Sequence, residues 1–129
     1  MPEDKVRILV VDDEEEINEF IKSYFKRRNY DVFIANSSKQ AMPIIKQQNP
    51  QVMLLDINLP DMNGIDLLRA VRQFNSTLKV IMVSGYNLDI NTAGQLKDLN
   101  IFKFMCKPIM LPELEEIIIK AADEQNRRD

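Results

Sequence analysis

Asp12 and Asp13 follow the apolar run RILVV, Asp56 ends VMLLD, Ser84 follows VIMV, and Lys107 follows FKFMC. The set offers three carboxylates, a hydroxyl and an ammonium. Carboxylates gathered without imidazole or thiolate favour a hard divalent cation. Mg²⁺ keeps several waters and takes one or two carboxylates together with phosphate oxygens, so it suits this group. A bound cation would also offset the mutual repulsion of the acids. Lysine and serine can hold the remaining oxygens of a phosphoryl group, and a carboxylate is a competent nucleophile for forming an aspartyl phosphate. These residue types point to phosphoryl transfer.

Other chemistries drop out on composition. The 129-residue chain has no histidine, so Ser-His-Asp and Cys-His catalysis cannot be built from it alone, and a zinc site would lack its commonest nitrogen ligand. Neither a GxxxxGK[ST] phosphate loop nor a GxGxxG dinucleotide fingerprint occurs. A phosphatase of the haloacid dehalogenase type also uses a strand-end aspartate and Mg²⁺. Its D-x-D-x-T/V signature is absent, because Ile57 and Asn58 follow Asp56. Lys and Arg total 17 against 20 Asp and Glu, a formal net charge of -3, so no direct nucleic-acid binding and no membrane association are expected. The single cysteine, Cys106, excludes an internal disulfide. The opening MPEDKV lacks the apolar core of a signal peptide, and a cytoplasmic location is the expectation.

The acids need elements that bring them together. The runs at 7–11, 32–35, 52–55, 80–83 and 102–106 are short and mostly continuous in apolar residues, as in strands buried on both faces of a parallel sheet. Between them the spacing is helical. Ile17, Phe20, Ile21, Tyr24 and Phe25 form one stripe, and Leu111, Leu114, Ile118 and Ala121 form another. Ser37 or Ser38 can cap the second helix, Asn63-Gly64 can open the third, and Asn100 can supply a left-handed residue ending the fourth. Pro43 predicts a kink in the second helix. Gly94 should cost the fourth roughly 1 kcal/mol relative to alanine. Five β-α units with right-handed crossovers predict a flavodoxin-like (βα)5 fold, with five parallel strands in order 2-1-3-4-5 and function outside their carboxyl ends. One domain is expected over 1–129, its core at about 6–122, with 123–129 a polar tail or the start of a linker.

The pieces VVDDEE, LLDINLPDMNG, VIMVSGY and FKFMCKPI, in this order and spacing, resemble the receiver domain of two-component response regulators. The resemblance covers about Val6 to Ala122. It implies that Asp56 is the phosphoacceptor, taking its phosphoryl group from a phosphohistidine on a sensor histidine kinase or a histidine phosphotransfer protein. It also implies that Asp13 and Asp56 ligate Mg²⁺ with the backbone carbonyl of Asn58, while Asp12 acts through a metal-bound water. Ser84 and Lys107 would bind phosphoryl oxygens, and Phe104 would change rotamer as Ser84 moves. Asn58 and Tyr86 stand where the family tunes phosphoryl lifetime. Pro108 stands where it has a cis peptide bond. The implied activity is a switch that catalyses only its own phosphorylation and dephosphorylation and alters a face on α4-β5-α5. A pseudo-receiver, an interaction module with an idle pocket, is the alternative.

Several residues read as structure. Glu14, Glu15 and Glu16 fit a helix N-terminus, where carboxylates meet the positive end of the dipole. Cys106 reads as a small core residue of a buried strand, and Met53, Met82 and Met105 as core. Departures from the family pattern are Ser84 where threonine is commoner, Asn100-Ile101 where Gly-Ala is frequent, and Met110 at the cap of the last helix. Phe102 and Ile119 are apolar where exposed or charged side chains are usual. Ile117, Ile118 and Ile119 span roughly 200° of helix and cannot all face one core. Phe102 and Ile119 are therefore expected to line a partner or homodimer surface on α4-β5-α5.

Overall fold

The computed structural model describes residues 5–126. Strands β1 (Arg7–Val11), β2 (Asp31–Ala35), β3 (Val52–Asp56), β4 (Lys79–Ser84) and β5 (Lys103–Cys106) alternate with helices. The helices are α1 (Glu15–Arg27), α2 (Ser38–Gln48), α3 (Gly64–Arg72), α4 (Ile90–Asp98) and α5 (Leu111–Asn126). All strand pairs are parallel, in the order β2-β1-β3-β4-β5 that the β-α alternation predicts.

Side chains alternate across a strand, so a continuous apolar run serves two cores at once. Leu9 and Val11 of β1, with Met53, Leu55, Val80 and Met82, pack under α2 and α3 through Ile45, Leu68 and Val71. Ile8 and Val10, with Leu54, Ile81, Val83 and Met105, pack under α1 and α5 through Phe25, Leu114 and Ile118. Met53, Met82 and Met105 are core, as read from the sequence.

Local chemistry sets the element ends. Ser37 caps α2 by accepting from Gln40 N, and Asn63 caps α3 by accepting from Ile65 N. Asn100 has φ 59°, as expected, and Asn29 and Asn49 do the same work after α1 and α2 at φ 72° and 51°. Helix α2 is a single element with Pro43 inside it. The Lys107-Pro108 peptide is cis. Helix α5 continues through Asn126, so the first part of the expected tail is helical, and 127–129 lie outside the described residues.

One reading is corrected here. Cys106 is exposed rather than core, because the end of edge strand β5 has no neighbour beyond it to cover that face. Phe102 precedes β5 and is partly buried against the α1/α5 core, with Lys79 Nζ 5.9 Å from its ring centroid. Ile119 is 53% exposed, while Ile118 is buried and Ile117 partly so.

Candidate functional site

The parallel register delivers the chemistry to one edge. Asp56 ends β3 opposite Val83, Ser84 ends β4 opposite Cys106, and Lys107 donates its backbone N–H to the Ser84 carbonyl at 2.9 Å. Asp12 continues β1, its N–H donating to the Ala35 carbonyl, and Asn18 of α1 donates to the Asp12 carbonyl at 2.7 Å. Gly64 supports the same edge from α3: a Cβ there would run into the backbone carbonyl of Asp56. Glycine at 64 is thus required by close approach, not by an unusual φ.

Lys107 Nζ is the centre of the site. It lies 2.9 Å from Asp56 Oδ2, 3.0 Å from Asp12 Oδ2 and 2.8 Å from Glu14 Oε1. The remaining oxygen of Asp56 accepts from Asn58 N at 3.0 Å, and that of Asp12 from Glu14 N at 2.9 Å. Asp12, Asp56 and Ser84 are buried, while Asp13 is exposed. Burial pushes the Asp12 carboxyl above the usual carboxylate range, against the pull of the Glu14 N–H and of Lys107. Burial also opposes the charge on Lys107, but its bonds to Glu14, Asp56 and Asp12 outweigh this and hold its pKa above the usual lysine value.

One carboxylate oxygen from each of Asp12, Asp13 and Asp56 lies within 4.8 Å of the others. Three hard oxygen donors, two on buried side chains, fit a hard divalent cation such as Mg²⁺. Ser84 Oγ accepts from Tyr86 N at 3.2 Å, and Tyr86 itself is exposed. A Cβ on Gly85 would meet nothing within 4 Å, so the approach beside Ser84 is open. Phe104 is partly buried against the core shared by α2, α3 and α4. Beside Lys107 a groove of about 500 Å³ runs between α1 and the β5-α5 connection, lined by Ile17, Phe20, Ile21, Ile109 and Leu111.

Asp12, Asp13, Asp56 and Lys107 therefore meet, and Ser84 lies at the same strand edge. Glu14 joins them, which corrects its reading as a helix-end charge: its carboxylate is turned back onto Lys107. The only sequence signal was its place one residue past the acid pair. Asp61, also unread, binds Ser38 and Lys39 at the start of α2.

Residues 8–119 match the response regulator receiver domain family. The chain belongs to that family. Phosphorylation-dependent signalling is the business of such receiver domains, which are not enzymes in the usual sense. Sporulation initiation phosphotransferase F of Bacillus subtilis is 27% identical over 88% of this receiver and 91% of its own length. The regulatory protein AtoC of Escherichia coli is 30% identical over 95% of this chain, which spans only 26% of that relative. The CheY-like receiver domain protein of Methanospirillum hungatei superposes with a TM-score of 0.90 at 30% identity, covering 96% of this chain and 98% of that one.

Proposed function

We propose that this receiver domain is a phosphorylation-dependent switch in which Asp56 accepts a phosphoryl group from a phosphohistidine on a partner histidine kinase or phosphotransfer protein. The observation that carries the reading is the meeting of Lys107 Nζ with the buried carboxylates of Asp12 and Asp56, with Asp13 alongside. A carboxylate oxygen of Asp56 attacks phosphorus, the P–N bond breaks, and the imidazole nitrogen keeps the electron pair and takes a proton. Asp12, Asp13, Asp56 and the Asn58 carbonyl would hold Mg²⁺, which neutralises charge building on the transferring group. Lys107 and Ser84 bind phosphoryl oxygens. Asn58 and Tyr86 flank the path of the water that later hydrolyses the acyl phosphate.

The groove beside Lys107 supports docking of an apolar helix from the phosphodonor. Contacts of Ser84 with the phosphoryl group favour a conformer in which Phe104 changes rotamer and the α4-β5-α5 face alters. A second copy of the domain is one occupant of that face.

Intact mass after incubation with Mg²⁺ and acetyl phosphate or a phosphoramidate tests the reading. The wild type should gain one phosphoryl group and Asp56→Asn none. Asp13→Ala should lose the Mg²⁺-dependent reaction, while Glu15→Ala keeps it. Failure with every donor leaves an interaction module with an idle pocket.

A further inference from the structure

We propose that the solvent face of α1 is a self-complementary docking surface for a second copy of this chain, the two α1 helices running antiparallel about a two-fold axis. Glu16, Phe20, Ser23 and Arg27 are all exposed, Phe20 by 65%. At 100° per residue they fall within roughly 60° of one another, and their steps of four, three and four are those of a coiled-coil seam. The core does not use them, since it takes Ile21 and Phe25 from another side of the helix.

Charge identifies the occupant. Glu15, Glu16 and Glu19 occupy one half of α1, and Lys22, Lys26 and Arg27 the other. A helix stabilised by its own surface pairs carries opposite charges three or four residues apart. Here the pairs four apart, Glu15 with Glu19 and Lys22 with Lys26, are like-charged. The one opposite pair, Glu19 and Lys22 at three residues, forms no salt bridge, and among the described residues Glu16, Lys26 and Arg27 have no ion-pair partner in the chain either. The helix dipole acts on the first and last turns, so it does not account for Glu19 and Lys22, which lie between them.

An antiparallel second α1 supplies the missing partners. With Phe20 seated on the small Ser23 of the second copy, Glu16 meets that copy's Arg27 and Glu19 lies beside its Lys26. The two-fold axis repeats each contact. A parallel pair would set Glu16 on Glu16 and Arg27 on Arg27 instead. Hollows on the two sides of Phe20 and Ser23 suit the antiparallel pair, one lined by Arg27 and Arg28 and the other by Glu15, Glu16 and Glu19. Stripes of four residues make a small contact, so the dimer is weak and forms at high protein concentration. Phe20 also lines the groove beside Lys107. Pairing through α1 and docking of a donor helix there therefore exclude each other, a consequence that rests on the proposed role of the groove, whereas the pairing itself does not.

The test is sedimentation equilibrium of the full chain without phosphodonor, at low and high salt, for wild type, Glu16→Arg, Arg27→Glu, the double variant and Ile119→Glu. Wild type and Ile119→Glu should form the same weak dimer, loosened by salt. Each single reversal sets like charges together at two places in the pair and should weaken dimerisation by about tenfold. The double variant exchanges the charges and should dimerise like wild type. An equimolar mixture of the two single variants should form a heterodimer more tightly than either variant pairs with itself. Both residues are exposed, so thermal unfolding should shift little in any variant. A wild type that stays monomeric at millimolar concentration, a dimer indifferent to both single reversals, or failure of both the double variant and the mixture to recover dimerisation overturns the proposal. Intact mass with acetyl phosphate reads the phosphoacceptor separately, so none of these failures is a failure of the Asp56 reading.

Discussion

Asp61 caps a helix to which it does not belong. Its Oδ1 accepts from Ser38 N at 3.0 Å, and its Oδ2 from the Ser38 hydroxyl at 2.7 Å and from Lys39 N at 3.0 Å, all at the first turn of α2. The Ser38 hydroxyl and these N–H groups hold its carboxyl below the usual carboxylate value. A lowered folded-state pKa means that the charged form stabilises the fold above the unfolded pKa, and that this contribution is lost as pH falls through the folded value. Asp61→Asn should therefore unfold at lower urea than wild type at pH 7, and the gap should shrink below about pH 4. A gap of constant size at pH 7, 4.5 and 3 would show that the charge is not its source. Ser37, the local cap of the same helix, was legible because its acceptor and donor lie three residues apart. Asp61 and Glu14 were not, because their partners are 22 or more residues away in sequence. The acids and the lysine at strand ends were legible because a parallel sheet puts every strand's carboxyl end on one edge.

Among the described residues, helix α4 buries fewer side chains than any other helix. Leu96 is its one buried residue, whereas α1 buries three and α3 five. Its N-terminus is capped by Asp89, which accepts from Thr92 N at 2.7 Å. Just past its other end, Arg72 of α3 donates to the carbonyls of Leu99 and Asn100 at 2.9 and 3.2 Å. Gly94 sits between these anchors. A Cβ there would meet nothing within 4 Å and the residue has no positive φ, so its backbone does not require glycine. Gly94→Ala should thus stabilise the domain by about 0.5–1 kcal/mol, from lower backbone entropy in the unfolded chain and better helix propensity. Urea unfolding and slower hydrogen exchange of the α4 amides check this; a loss of stability would mean that the glycine has a packing role. The strands could be read from the sequence because continuous apolar runs have few other uses in a soluble chain. The Arg72 clamp could not, because backbone carbonyls are acceptors at every position and carry no sequence signature.

At the scale of the molecule, the sheet separates two cores, and each helix has one face committed to one of them. Helix α5 commits Leu114, Ile118 and Ala121 to the core it shares with α1. Ile119, one residue on from Ile118, is turned by about 100° away from that stripe and stands 53% exposed. Ile119 lies off the stripe that packs the core, and Phe102, the other apolar residue expected on this face, is partly buried against the core. Ile119, the more exposed of the two, then carries most of the expectation of a homodimer or partner surface. The expected outcome is that wild-type protein sediments as a larger species after acetyl phosphate and Mg²⁺ than before, while Ile119→Glu stays at its starting size in both conditions. Since Ile119 is off the core stripe, the substitution should leave thermal unfolding nearly unchanged, which separates loss of association from loss of fold. Equal sedimentation of the two proteins in both states would remove self-association through α5, and would leave Ile119 as a contact for a different partner or as an isolated exposed aliphatic of the kind most soluble proteins carry.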